Sequence, residues 1–415
     1  MRINPLYWAL PLSIWLGCSC SSSTTKGELE TIPVGSAYSA ITTLKASDYF
    51  REVTYIPLET TDSVLVGNAP SIRVAGNRLI VSSSQKQCYS FNKSDGRFVA
   101  SVGHIGNDPE GCRELTGWLD AANGYLYFLK GDGVSAIYDT DGNFVGTSKE
   151  VELSDGLFGI DSNDYLDKQT LVKHTSATAT KPDRVILYRD TTLLASFPSH
   201  GEEKAIVSGN QADIESIAVF QQALMGHSMI FIHYKNGDEM GLIPTEHPFW
   251  HVGKKLYFRE LFNDTIYQVT KDGLLPERRF DFGAMTWKRE DRYDAQKDDA
   301  IYPLEVMEND RFLWLRFVVN LYRQDKRKAY NALYLKETGE AKVAAYEEGM
   351  ENDLNGFLPL QPTFVTADGE FAQLIPAETI AEWFEEHPDA AELPAEIQAL
   401  KAIKADDNPV VVLMK

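Results

Sequence analysis

The chain has 415 residues, of which 43% are hydrophobic and 11% aromatic, and its 40 basic and 60 acidic side chains give a formal net charge of −20. This is too apolar for a disordered chain and long enough to bury a large core. Acidic residues spread along the whole length argue against a nucleic-acid surface, which needs clustered Lys and Arg, and against simple adsorption to anionic lipid.

The N-terminus reads MRINPLYWALPLSIWLGCSCSSSTTKGELE. Arg2 precedes an apolar run, Leu6 to Leu16, that is too short and too proline-marked to span a bilayer permanently, so it predicts an export signal. Leu16-Gly17-Cys18 resembles a bacterial lipobox, in which the cysteine is diacylated and becomes the new N-terminus. Trp15 departs from the usual aliphatic position, and Cys20 is a poorer competing acceptor. Residues 1–18 are therefore expected to be a lipoprotein signal with Cys18 as the lipid attachment site, and residues 19–46 a flexible tether. Two acyl chains supply the two-signal anchoring that stable attachment needs. With Cys18 lipidated, Cys20, Cys88 and Cys112 form an odd set, so isolated buried thiols are expected in preference to a Cys88–Cys112 bridge. No C-x-x-C pair or Cys/His cluster suggests zinc.

DYFREVTYIPLET, from Asp48, reads as an orphan strand. Beyond it the chain repeats. NRLIVSSSQKQCYSFNKSDGRFVASVG from Asn77 aligns with NGYLYFLKGDGVSAIYDTDGNFVGTS from Asn123, with Asp95-Gly96 on Asp141-Gly142 and Phe98 on Phe144. The offset of about 46 residues is that of a four-stranded propeller blade. Each copy holds strands separated by a polar turn and an Asp-Gly hairpin, and PSIRVAG and LTGWLDA supply the inner strands.

DRVILYRDTTLLASFP from Asp183 is a further hairpin, and the run from His251 to Gly283 is a complete series. Another pair lies between Arg311 and Tyr346. The last unit begins near Phe357 and resumes at NPVVVLMK, Asn408 to Lys415. Between its pieces, AETIAEWFEE and PAEIQALKAIK predict a helical insertion over about 377–405, with Ile380, Trp383 and Phe384 on one face. Residues 200–246 fit either an insertion or part of a seventh blade. The expected fold is all-β: one domain, 47–415, forming a six-bladed propeller whose incomplete last blade is closed by the N-terminal strand.

VTYIPLETTD at 53–62, the Gly-rich stretch at 103–111, LYFRELFNDTIYQV at 256–269, FDFG at 280–283 and DDNPVVVLMK at 406–415 occur in this order behind the lipobox. On these segments the chain resembles the six-bladed β-propeller lipoproteins of Bacteroidota, whose blades are similar to NHL repeats. The resemblance implies a propeller on a lipid anchor. It brings no settled activity and no catalytic residues.

GHIGNDPEG, Gly103 to Gly111, has neither Walker nor dinucleotide-loop spacing, and a strand pattern rather than a helix follows it. It reads as a connection from one blade to the next. His247 and His251 are four apart, but Pro248 disfavours the helix that would bring both onto one face. Ser82-Ser83-Ser84 has no recognisable base, and Asp132, Asp161 and Asn163 read as turn residues. Aromatic and guanidinium groups near blade crossings suit sugar rings or peptides, which selects His104, Arg113, Trp118, Trp250, Arg259 and Glu260 as ligand-binding candidates. The expected function is a non-enzymatic propeller, lipid-anchored at the periplasmic face or outer-membrane surface, that binds a glycan, peptide or protein partner. No catalytic residue, metal ligand or cofactor is assigned, and the lipid anchor is the only membrane contact. The alternative is a metal-dependent hydrolase or lyase holding calcium in the central channel through carboxylates and amides scattered over several blades.

Overall fold

The computed structural model describes residues 29–84, 86–131, 133–149, 162–175, 184–198, 213–225, 227–242, 247–260, 262–291, 297–323, 325–388 and 393–415. Cys18, Cys20, Asp132 and Asp161 lie outside them.

Two short strands, β1 (Glu30–Ile32) and β2 (Val53–Pro57), flank the helices α1 (Val34–Tyr38) and α2 (Ala46–Tyr49). From Ser71 onward, strands follow in sets of four. Blade 1 is β3 (Ser71–Ala75), β4 (Arg78–Ser83), β5 (Gln87–Asn92) and β6 (Phe98–Ser101). Blade 2 is β7 (Trp118–Asp120), β8 (Tyr125–Gly131), β9 (Val134–Asp139) and β10 (Phe144–Lys149). Blade 3 is β11 (Ser162–Asp167), β12 (Thr170–Thr175), β13 (Arg184–Arg189) and β14 (Thr192–Pro198). A three-stranded sheet follows, β15 (Ile214–Leu224), β16 (His227–Tyr234) and β17 (Glu239–Leu242). Blade 4 is β18 (Phe249–Val252), β19 (Lys255–Phe258), β20 (Thr265–Val269) and β21 (Leu274–Phe280), and blade 5 is β22 (Ile301–Glu308), β23 (Phe312–Val319), β24 (Lys328–Leu335) and β25 (Glu340–Ala345). Blade 6 holds β26 (Phe364–Val365), β27 (Phe371–Ile375) and β28 (Val410–Met414). The first strand of each blade is innermost, and successive strands pair antiparallel outward.

The sixth blade is completed as the sequence predicts. β2 pairs antiparallel with β28, Val53 opposite Met414 and Pro57 opposite Val410. One sheet thus joins the two ends of the chain, and the six blades close into a propeller. The helical insertion is also present: α3 (Ala377–Glu386) and α4 (Ala395–Ala399) lie between β27 and β28. Ile380 and Phe384, one helical turn apart, are buried, as is Ile397.

The three-stranded sheet is an insertion and not a blade. Blades 3 and 4 pack directly on each other through Val172, Val185 and Leu187 on one side and Phe249, Leu256 and Phe258 on the other. No blade stands between them. The extra sheet instead rests on the end of blade 5, where Leu224 and Met229 join Trp287, Tyr302 and Leu321.

The segment 30–46, expected within the flexible tether, is a strap fastened to the outside of the ring. β1 adds a parallel fifth strand to blade 4, with Ile32 opposite Phe280. The amide of Thr42 donates to the carbonyl of Val343 in blade 5. Ile32, Val34 and Leu44 are buried at 0–1% exposure. The reason for the difference is physical. Alone, this Ser/Thr/Ala-rich stretch has too few apolar residues to fold, but the open edge of blade 4 offers a ladder it can join.

The Asp-Gly hairpins show why the repeat needs glycine there. Gly96 has φ +71, and a Cβ on it would stand 2.0 Å from the carbonyl oxygen of Pro57. Gly142 has φ +87, and its Cβ would stand 2.7 Å from the oxygen of Ser101. In both blades the turn presses on the outer strand of the preceding blade. Cys88 and Cys112 are free and buried, as expected.

Candidate functional site

Because the inner strands run in one direction, each blade places its first and third turns on one face of the ring. Its middle turn and the link to the next blade lie on the other. These are called the turn face and the connection face.

The segment 103–111 is a link from β6 to β7, with no helix behind it. Its amides are used internally: Gly106 donates to Cys112, Cys112 to His104, and Gly111 to the carbonyl of Asp108. Asp108 Oδ1 also accepts the amides of Glu110 and Gly111. Lys130 Nζ caps the turn from blade 2, 2.6 Å from the Asp108 oxygen and 2.8 Å from that of Gly111. This is a built connection between blades.

His104 lies on this link, exposed, 2.8 Å from Asp108 Oδ2. That hydrogen bond holds the Asp108 carboxyl below its ordinary value. Arg113 is exposed, with its guanidinium over Gly131. Trp118, half-buried, stacks on Tyr127 at 4.4 Å and lies 6.0 Å from Tyr165 in blade 3. These three share one crossing.

The other three candidates lie elsewhere and are buried. Trp250 is 7% exposed and packs between blades 4 and 5, stacked on Tyr257. Arg259 donates to the carbonyl of Pro303 in blade 5 at 3.1 Å, and to the carbonyl of Glu260. Glu260 Oε1 accepts from Asn263 at 3.2 Å. Trp250 and Arg259 thus join blades 4 and 5, Glu260 is bonded within blade 4, and the six candidates form no common surface.

Polar residues near the inner strands instead form seams. Arg73 Nη2 donates to the carbonyl of Gly117 at 2.5 Å, joining blades 1 and 2. Asp164 Oδ1 lies 2.8 Å from His251 Nε2, joining blades 3 and 4. Burial pulls the His251 imidazole down. The hydrogen bond and charge of Asp164, with the charge of Asp120, outweigh this and carry it above its ordinary value. Glu308, fully buried, accepts from Trp250 Nε1 at 2.7 Å and pairs with Arg278 and Lys336. Arg316 pairs with Glu305 at 2.6 Å and donates to the carbonyl of Pro362, joining blades 5 and 6. His247 Nδ1 lies 2.9 Å from the carbonyl oxygen of Phe249, so His247 and His251 face different partners. Among the described residues no three His, Cys, Asp or Glu side chains form a group able to hold a metal ion.

A concavity opens on the turn face, at the closure of the ring. It is a cleft of 760 Å³ between blade 6 and the turns of blade 1, with Glu370, Lys93, Asn77, Asn92, Tyr55 and Lys415 in its lining. Sequence reasoning missed these residues. They come from both ends of the chain and two distant turns, and no local spacing marks them.

The chain belongs to the family described as "Domain of unknown function (DUF4934)", whose model matches residues 29–415. No curated protein matches the sequence. Among solved structures, a "Putative exported protein" from Bacteroides fragilis is similar, at 16% identity and TM-score 0.59 over 90% of this chain and 97% of its own. At that identity the likeness concerns the fold alone. The computationally designed Ika4 protein matches 43% of this chain and 95% of its own at 11% identity, with a TM-score of 0.22 that carries no argument. Among the described residues no helix is long and apolar enough to cross a membrane.

Proposed function

We propose that this DUF4934 protein is a lipid-anchored propeller of the cell envelope that holds a glycan, peptide or protein partner without transforming it. The observation that carries the reading is how the seam carboxylates are used. Asp164 is paired with His251, Glu305 with Arg316, and Glu308 with Trp250, Arg278 and Lys336. A general acid or base must reach substrate and exchange a proton with it, and a bound calcium needs several oxygens turned towards one point. Here Asp164 and Glu308 hold neighbouring blades together, and Glu305 holds the Arg316 whose guanidinium reaches blade 6. The turn face, by contrast, carries a cleft lined by amide, ammonium and carboxylate groups that can hydrogen-bond a ligand.

The anchor is supported by the export-signal pattern, by Leu16-Gly17-Cys18, and by the resemblance to lipoprotein propellers of Bacteroidota. The similar Bacteroides fragilis structure is described as exported, which bears on export and not on the anchor. Two experiments test the reading. Cys18→Ala should abolish labelling by radioactive palmitate and release the protein from the membrane fraction; retained label removes the anchor. The mature protein, screened on glycan, peptide and envelope-protein arrays, should show saturable binding with the ligand recovered intact. Cleaved ligand, with cleavage lost on chelation, would establish a metal-dependent hydrolase or lyase instead.

A further inference from the structure

The cleft at the closure of the ring contains a buried group that the fold leaves incompletely used. Glu370 follows the turn between β26 and β27 and is 6% exposed. Its Oε2 is taken by Lys93 of blade 1. Its Oε1 has no hydrogen bond. Lys415 Nζ stands 3.1 Å from that oxygen, outside hydrogen-bond geometry, on a side chain that is 61% exposed. That oxygen is held by an ion pair alone, without the hydrogen bond that a buried carboxylate oxygen ordinarily receives. Among the described residues the cation at that oxygen is Lys415, whose exposed side chain an incoming donor can displace.

The surroundings define that donor. Lys93 keeps N–H groups beyond the one given to Glu370, so an acceptor and a donor stand side by side. Asn77 and Asn92 add amides that both donate and accept, and Ile56, Leu413 and the Tyr55 ring add apolar surface. Three acidic side chains, Glu52, Asp95 and Glu370, are set against two lysines, which disfavours a polyanion. Adjacent hydroxyls on a pyranose match this pattern, one donating to Glu370 Oε1 and its neighbour accepting from Lys93 Nζ. A peptide would need a strand edge to join. The edge of β2 is covered at its C-terminal end by the blade 1 turn, where Glu59 donates to the carbonyl of Gly96 and Gly96 packs on Pro57.

We propose that this cleft is a subsite for a neutral saccharide bearing adjacent free hydroxyls, with Glu370 and Lys93 as its recognition pair and Lys415 as a displaceable cover. The proposal rests on the binding reading above and specifies its ligand. It is tested with the mature protein on an array of neutral oligosaccharides including maltohexaose, cellohexaose and mannohexaose, followed by calorimetry on the strongest binder. Glu370→Gln should weaken binding about tenfold or more, and Lys415→Ala should leave it unchanged or tighten it. Thermal melts accompany each variant, and Asn77→Ala, at an exposed position, gives a second reading if Glu370→Gln fails to fold; it should weaken binding several-fold. Saccharide binding indifferent to Glu370→Gln and Asn77→Ala overturns the cleft and leaves the binding propeller standing. An empty saccharide array with peptide or protein ligands found overturns the saccharide class, and empty arrays of every kind overturn the binding reading itself.

Discussion

Gly96 touches Pro57 so closely that a Cβ on the glycine would stand 2.0 Å from the proline carbonyl oxygen. The contact joins the last turn of blade 1 to the strand that closes blade 6. Gly76, in the first turn of the same blade, has φ +56 but nothing within 4 Å of its Cβ position. Gly76→Ala should therefore cost only the backbone strain, about 1–2 kcal/mol. Gly96→Ala carries the same strain and must also move backbone at the ring closure, so its loss should be clearly larger. Urea melts compare the two directly, and equal losses would show that the turn can swing clear of Pro57.

Closure itself is tested by deleting Asn408–Lys415. β28 runs between β27 and β2, and all five of its residues are buried, at 0–5% exposure. Its removal separates the N-terminal strand from the blade it completes, and the truncated chain should show no cooperative thermal transition. A melting temperature like that of the intact protein would mean that the ring does not depend on the pairing of β2 with β28.

The two tryptophans read alike as ligand contacts should separate under mutation. Trp250→Ala removes a buried ring and the indole donor to Glu308, so it should cost about 3–5 kcal/mol. Trp118 is only half-buried, and losing its stack on Tyr127 should cost about 1–2 kcal/mol. Chemical denaturation decides the order. A smaller loss at Trp250 than at Trp118 would contradict the packing of blades 4 and 5.

Asp264 gives a pH dependence of defined sign. Burial pushes its carboxyl up to about 6, with the charge of Arg259 opposing and that of Asp281 adding. An unfolded aspartate titrates near 3.9, roughly. The folded value is the higher one, so its contribution is full below the unfolded value and is lost as pH rises through about 6. Asp264→Asn should therefore raise stability at pH 7 and lose that advantage near pH 4. His251, which faces Asp164 and Asp120, is also raised and acts in the same direction from its own higher starting value. A stabilisation by Asp264→Asn that is the same at both pH values would remove Asp264 titration as the cause.

The blades themselves were legible because their signals are local. Positive φ at Gly96 and Gly142 is a demand of the hairpin alone, and the strand VTYIP carries its own pattern wherever it pairs. The period, the blade connection at 103–111, the helices near the C-terminus and the need for a closing strand follow from such signals. Burial at a seam is different in kind, since it depends on which blade stands opposite. Trp118 and Trp250 look equivalent along the chain, yet one lies half-buried at a crossing and the other is sealed by Glu308, 58 residues away. Only the direct packing of blades 3 and 4 shows residues 214–242 to be an insertion. The strap at 30–46 likewise takes its order from an edge supplied by Leu274–Phe280. Glu370 is the extreme case, because its two lysines come from the first blade and the last residue. No spacing in a sequence records a meeting that only the closed ring creates.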